Sequence, residues 1–364
     1  FGVKPLYYSD TAESFVFGSE IKQLLVGARA PRANQSAVIE AMLTSLDGHT
    51  EDTYFEVVKS FRDPRIKLFV NQYNVGFAPN LDRAAQRASN PYIIMLSSDD
   101  LMKPTALEVY ADILARLPDP DTPFLLVSSI DVIDGEGKLI GQMSRSSYYS
   151  IPPEHVMNFG ADGTMVEVFS GLRVFKEVFP RMSVPGHFCT TLYSRTTYDA
   201  VGGYSSMNFI GPDAHFAYKV LLRDARVYFV NQPLFSYRVH SSNQLASNKK
   251  AQTLKVPMDR YTFVLQYSDD ELARAGVKRQ EMVDHLINEA CINDGLRAIA
   301  SGSHLQAFRL LAFAFAAYPG TVLKNLRTYA LAVLVALGPF GKLVGRLLHS
   351  WHSRHSHIAP KKIR

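Results

Sequence analysis

The sequence predicts an α/β fold, a mixed sheet flanked by helices with a further helical region after it. Three observations carry that expectation. Ile66–Val70, a polar Gly-containing loop over 71–77, a helical stretch from Pro79 to Ala88 and the apolar run Tyr92–Leu96 make a β-loop-α-β unit. The helical stretch places Leu81, Ala84, Ala85 and Ala88 on one face. A second group, the Gly202-Gly203-Tyr204 turn, a helical stripe through Phe216 and Val220, and the apolar run Arg226–Val230, repeats the alternation downstream. Past Asp259 the periodicity is helical over 270–275, 279–301 and 304–317.

Taken in order, Phe1–Tyr8 and Phe15–Leu25 read as two short strands joined by the polar turn 9–14 and followed by a helix. Leu46-Asp47-Gly-His-Thr-Glu-Asp-Thr53 is a turn-forming stretch that also suits an ordinary loop before a helix cap. The run from Tyr92 ends in Ser98-Asp99-Asp100, two adjacent carboxylates where a buried strand stops. Open α/β sheets bind ligands at the carboxyl ends of their strands, and carboxylate oxygens are the hard donors that Mg²⁺ or Mn²⁺ takes. The same acids also fit a cap for a helix starting at Pro104. Phe124–Ser128 reads as a core strand, and Asp134-Gly-Glu-Gly137 as the turn of a hairpin spanning Val132 to Ile140. Residues 143–184 form a long region rich in aromatics and glycine, and Asp213 opens a helix, where it suits an N-cap as well as a reactive acid.

Two segments resemble a known family. Asn71-Gln-Tyr-Asn74-Val-Gly76-Phe-Ala-Pro-Asn80 followed by Asn90-Pro-Tyr-Ile-Ile-Met-Leu-Ser-Ser98-Asp99-Asp100 is similar to the loop, helix and metal-motif strand of family 2 glycosyltransferases. Gly202-Gly203-Tyr204, Gly211-Pro-Asp213 and Tyr237-Arg238-Val-His240 resemble that family's later motifs. The resemblance implies a GT-A fold, Rossmann-like and of the nucleotide-diphospho-sugar transferase kind. It implies inverting transfer of a sugar from a nucleotide-diphosphate sugar to an acceptor hydroxyl on a saccharide or lipid-linked acceptor. By the same resemblance Asp213 is the catalytic base, and Asp99 with His240 holds Mg²⁺ or Mn²⁺. Asp47, Asn74, Gly76, Asn80, Ser98, Asp100 and Arg238 contact the donor, and His187 and Arg195 lie on the acceptor side. A packed histidine is the alternative for His187. The chain departs from the pattern at Leu46, Ser97 and Pro212, where the family carries acids more often.

The opening residues, Phe1-Gly-Val-Lys-Pro-Leu-Tyr-Tyr8 and Ser19-Glu-Ile-Lys-Gln-Leu-Leu25, resemble instead the end of the class II glutamine amidotransferase domain of asparagine synthetases. The expected organisation is therefore an amidotransferase-like fragment at 1–38, a GT-A domain at 39–258 that is incomplete at its first strand, and a helical region with a basic tail at 259–364. A fusion, a misjoined frame or a fragment would each produce that junction. Two other functions stay open: a relative of the amidotransferases, and a remnant that binds sugar nucleotides without turnover.

Composition agrees with a globular core. Of 364 residues, 47% are hydrophobic and 20% charged, and the net charge of +5 is mild. No nucleic-acid motif is visible, so nucleic acid is not an expected partner. Two cysteines far apart give neither a disulfide framework nor a zinc spacing, which points to a reducing, cytoplasmic setting. The apolar run Tyr329–Phe340 is shorter than the ~20 residues that span a bilayer, yet it is flanked by Lys324, Arg327, Lys342 and Arg346. It fits either an interfacial helix on the inner face of a membrane or a helix packed on the transferase domain. Histidines 349, 352, 355 and 357 resemble a weak metal-binding tract.

Overall fold

The computed structural model describes residues 7–10, 15–18, 69, 75–97, 100–119, 122–159, 163–204, 210–239 and 254–338. The first elements, β1 (Tyr7–Asp10) and β2 (Phe15–Gly18), are the two expected short strands and pair antiparallel, with Ser9 and Asp10 of the expected 9–14 turn inside β1. The strand expected at Ile66–Val70 lies outside the described residues, apart from Phe69. Helix α1 (Phe77–Arg87) then buries Ala78, Leu81 and Ala85, so of the apolar stripe read from the sequence Leu81 and Ala85 pack, Ala88 is half-buried just past the helix end, and Ala84 is exposed. Its start is two residues earlier than the pattern around Pro79 suggested.

Strand β3 (Tyr92–Ile94) and the short β4 (Leu101–Met102) flank the carboxylate segment, and α2 (Ala106–Leu114) follows. Strand β5 (Phe124–Ile133) runs into β6 (Leu139–Met143) through the expected hairpin, in which the Asp134 side chain accepts the backbone N–H groups of Glu136 and Lys138. The region 143–184 contains β7 (His155–Phe159), β8 (Thr164–Ser170) and α3 (Gly171–Val178). After β9 (Leu192–Ser194) come α4 (Arg195–Ala200), α5 (Pro212–Leu221) and the long β10 (Arg226–Arg238).

The main sheet has eight strands, with β3-β9-β5-β10-β8-β7 in order, β4 added beside β10 and β6 beside β5. β5 and β10 run parallel at its centre, and the other pairings are antiparallel, which makes the sheet mixed. A parallel pair covered on both faces reads as a continuous apolar run rather than an alternation. β5 obeys this: Leu125 and Val127 enter the core on one face, while Phe124, Leu126 and Ile130 enter the core on the other. On the first face lie α1, α3, α5 and the C-terminal helices; on the second, α2 contributes Ala106, Tyr110 and Ile113.

One feature of β10 was not legible beforehand. The apolar run was expected to end at Val230, but the strand continues past Pro233 to Arg238. Pro233 has no N–H to give to a ladder, so it is confined to edges or bulges, and the register shifts on both sides of it. Beyond the shift, Phe235 and Ser236 pair with Met102 and Leu101, so β10 ends beside the residue just before β4.

The C-terminal region is helical as predicted, with α6 (Lys255–Leu265), α7 (Asp269–Arg274), α8 (Arg279–His285), a π-helical stretch over Leu286–Asn293 and α9 (Asp294–Ser301). Helices α10 (His304–Ala317), α11 (Pro319–Lys324) and α12 (Leu326–Ala336) complete it. Ser268 and Glu271 close a capping box at the start of α7, satisfying two helix-end N–H groups at once. Among the described residues no helix is long and apolar enough to cross a membrane. The mixed sheet flanked by helices, with a helical region after it, is the GT-A-like architecture the motifs implied.

Candidate active site

Asp100 follows β3 and is nearly fully buried, with 2% of its surface exposed. A buried carboxylate needs compensation, and here the backbone N–H of Arg238 donates to Oδ1 at 3.0 Å. That bond exists because β10 passes its bulge and pairs with β4. The guanidinium of Arg238 turns the other way and donates to the carbonyls of Asp134 and Gly135 in the β5-β6 turn. Nearby, Lys103 and Asp131 form an ion pair at 2.5 Å.

The segment 185–191 lies against the same place. Gly186 sits so close to β5 that a Cβ there would come within 2.7 Å of Val127. The hydroxyls of Thr190 and Thr191 both donate to the carbonyl of His187, which fixes the tight turn. His187 and Cys189 face Asp100, and the ligand atoms of the three side chains lie within 4.8 Å of one another. His187 Nδ1 and Cys189 Sγ are 3.1 Å apart, and the imidazole packs on the Tyr237 ring at a centroid distance of 4.4 Å.

Gly186, Phe188 and Thr191, from the same segment, line a small hollow that contains Asp213. Its volume is about 20 Å³, enough for one water-sized group, and Tyr204, Phe216 and Ala217 make the rest of the wall mostly apolar. Asp213 stands in the first turn of α5, where helix N–H groups favour a carboxylate. Burial outweighs them: it pushes the carboxyl up to about 6 against the lowering effect of the backbone N–H groups of Ala214 and Asp213, and Asp259 adds like-charge repulsion. Asp259 is itself buried in α6 and accepts the N–H groups of Ile210 and Gly211, so it holds the chain that enters α5. Nothing in the sequence singled out Asp259, because its role depends on a helix that begins more than forty residues later than Gly211.

The Gly-Gly-Tyr turn has a local cause. Gly202 and Gly203 both take φ of 68°, which glycine adopts without penalty. A Cβ on Gly203 would also meet the Asp82 carboxylate at 2.5 Å. Asp82 accepts the Tyr204 N–H and the Tyr198 hydroxyl, tying α1 to this turn, and Tyr204 stacks on Phe216 beside the hollow.

The sequence-predicted residues thus distribute as follows. Asp100, His187 and the backbone of Arg238 come together, and Asp213 shares a hollow with Gly186, Phe188 and Thr191 of the segment that carries His187. Gly76 stands at the N-cap of α1 and Asn80 in its first turn, where the Asn80 N–H donates to the Gly76 carbonyl. Arg195 extends its guanidinium to the carbonyls of Ala85 and Ala88, at the C-terminal end of α1. Asp47, Asn74, Ser98, Asp99 and His240 lie outside the described residues. Cys189 was missed: two cysteines far apart in sequence carry no metal-ligand spacing, and only folding brings one of them to Asp100 and His187.

No curated protein matches the chain. A crystal structure of S. aureus TarS 1-349 aligns at 11% identity with a TM-score of 0.41, over 78% of this chain and 73% of that one. A second S. aureus TarS structure aligns at 11% identity with a TM-score of 0.40 over 74% of this chain, which spans 42% of that protein. Residues 44–179 match the family described as Glycosyl transferase family 2, a span that includes Asp100 and ends before His187, Asp213 and Arg238.

Proposed function

We propose that the chain is an inverting glycosyltransferase that moves a sugar from a nucleotide-diphosphate sugar to an acceptor hydroxyl, with Asp213 as general base. The observation that carries this reading is the Asp213 carboxyl, pushed up to about 6 by burial at the edge of a hollow the size of one hydroxyl. A base works best when its pKa lies near the operating pH, and an ordinary surface aspartate at 3.8 would be a weak acceptor of an alcohol proton. The family match over residues 44–179 supports the same reading.

In this reading the donor diphosphate lies toward Asp100 and the acceptor hydroxyl toward Asp213. Asp99 would offer the hard oxygen that Mg²⁺ or Mn²⁺ prefers, and Asp100 beside it would contact the donor; Mg²⁺ needs only one or two protein carboxylates beside substrate phosphates. Asp99 and His240 would be that cation's protein ligands, and the ion, when bound, would neutralise charge on the leaving nucleoside diphosphate. Arg238 would steady the same end of the site by fixing Asp100 through its backbone. Asp213 takes the proton from the acceptor hydroxyl as that oxygen attacks the anomeric carbon, and the apolar walls of Phe216 and Ala217 keep competing water away.

We read the C-terminal region as a cytoplasmic, peripheral membrane contact. Leu326, Tyr329, Val333 and Leu337 are all exposed and recur at helical spacing on one face of α12. Co-sedimentation with anionic vesicles tests this; loss of binding on changing Leu326 and Val333 to Ser is expected, and equal binding would refute it.

The reaction is tested with a panel of nucleotide sugars, assaying transfer and donor hydrolysis. Turnover of at least one donor, abolished in Asp213→Asn with donor binding retained, is the expected result. Donor binding without turnover across the panel would leave a non-catalytic binder in its place. Donor affinity is expected to fall on chelation, and metal-independent binding would remove the cation from the scheme.

A further inference from the structure

We propose that Asp100, His187 and Cys189 form a binding site for a thiophilic divalent cation, zinc above all, with a donor set different from the Asp99 and His240 pair assigned to Mg²⁺ or Mn²⁺. The three side chains offer one carboxylate oxygen, one imidazole nitrogen and one sulfur, all within 4.8 Å of one another. Zinc takes ligands of these three kinds at about 2.0–2.3 Å, so neighbouring ligand atoms in its shell sit between 3 and 4 Å apart. His187 Nδ1 and Cys189 Sγ are already at 3.1 Å, and a small side-chain movement closes the rest.

The donor chemistry discriminates between metals. A thiolate and an imidazole select zinc and similar ions, whereas Mg²⁺ and Ca²⁺ require oxygen. Only one of the three donors here is a hard oxygen, so a Mg²⁺ ion would gain little from the cluster.

The site is also built rather than fortuitous. His187 and Cys189 are two residues apart on a tight turn, which lets both side chains face the same point. That turn is pinned from three sides: Gly186 against Val127, Thr190 and Thr191 hydroxyls on the His187 carbonyl, and the Tyr110 hydroxyl on the Thr190 carbonyl at 2.7 Å. The imidazole is further held by the Tyr237 ring, and Asp100 by the Arg238 N–H. Rigid support of this kind keeps a metal site in geometry. Asp100 and Cys189 are buried, while His187 is partly exposed and gives the ion a way in. Three protein ligands leave a fourth position for water or another small oxygen ligand, the composition of an open zinc site. Binding requires the Cys189 thiol to lose its proton to solvent, so uptake of each ion releases about one proton and strengthens as pH rises.

The test is titration of the metal-stripped full chain with Co²⁺, a spectroscopic stand-in for zinc. One equivalent is expected to raise a thiolate-to-cobalt charge-transfer band in the near ultraviolet, which Zn²⁺ abolishes and excess Mg²⁺ does not. The tail histidines cannot produce that band, since they carry no sulfur, and the chain has only Cys189 and Cys291 as sources. The band is expected to survive Cys291→Ser and to disappear in Cys189→Ser. His187→Gln, at a partly exposed position, is expected to weaken binding by about tenfold or more while leaving the fold intact by circular dichroism. Absence of the band in the parent chain, or its persistence in Cys189→Ser, would show that the cluster is only a hydrogen-bonded Cys–His pair. Because no step of the assay involves a sugar, its outcome is independent of the transferase reading.

Discussion

Asp100 and Asp213 are the same residue type beside one short segment, 185–191, and their surroundings differ. Asp100 is buried among polar partners, with a backbone N–H from β10 and the His187–Cys189 pair beside it. Asp213 is set against apolar walls, and burial raises its carboxyl to about 6 despite the helix N-terminus beneath it. A carboxylate compensated by donors is suited to hold a cation; one short of compensation is suited to exchange a proton. The difference lies in what each acid faces, not in the acids themselves.

The comparison can be broken most directly at Asp213. Replacing it with Asn removes the proton acceptor while keeping the shape, and transfer is expected to drop by about 10²–10⁴ in kcat. Near-parental kcat would end its assignment as base. Below pH 6 the parental rate should fall about tenfold per unit, because the protonated form cannot accept a proton. Asp259→Asn sharpens this: removing the neighbouring negative charge lets Asp213 ionise more easily, so the acidic limb should move to lower pH. A limb that stays in place would show that Asp259 acts only on the backbone of Ile210 and Gly211.

Stability should report the same environment with the opposite sign. The folded state holds the Asp213 proton up to about pH 6, whereas an ordinary aspartate releases it near 3.8. The folded form therefore binds more protons in that window, and the stability this group contributes is lost as pH rises from about 4 to 6. Asp213→Asn is expected to be more stable than the parent above pH 6, on the order of 1–3 kcal/mol in urea unfolding. Gly203→Ala tests the turn that brings Tyr204 to the hollow. With a positive φ and a Cβ 2.5 Å from Asp82, it should cost about 1–3 kcal/mol. At the Asp100 end, Lys103→Ala breaks a partly exposed ion pair with Asp131 and should shift stability by less than about 1 kcal/mol.

Much of the scaffold could be read from the chain because its causes are local. The stripe at Leu81 and Ala85 packs as α1, the apolar run at Phe124 becomes the central strand, and Asp134-Gly-Glu-Gly137 turns the hairpin. The helices after Asp259 follow the 3.6-residue periodicity apart from the π-helical stretch Leu286–Asn293. The strand β10 was read too short, since Pro233 signals an end in sequence and is tolerated only because a bulge surrounds it. Arg195 illustrates the limit for single residues: its guanidinium meets the end of α1, a partner about a hundred positions earlier.

By itself, then, the sequence determined most of the periodic elements and the acid at the start of a helix, because each depends on neighbours within a few residues; the strand expected to run from Tyr92 into the acids instead ends at Ile94, and Asp100 stands just before β4. Tertiary structure alone decided that Cys189 joins Asp100 and His187, that Asp259 loads charge and hydrogen bonds onto the approach to Asp213, and that Arg238 fixes Asp100 through its backbone. Those relations follow from burial and from strand register across the sheet, which bring together groups that have no fixed spacing along the chain.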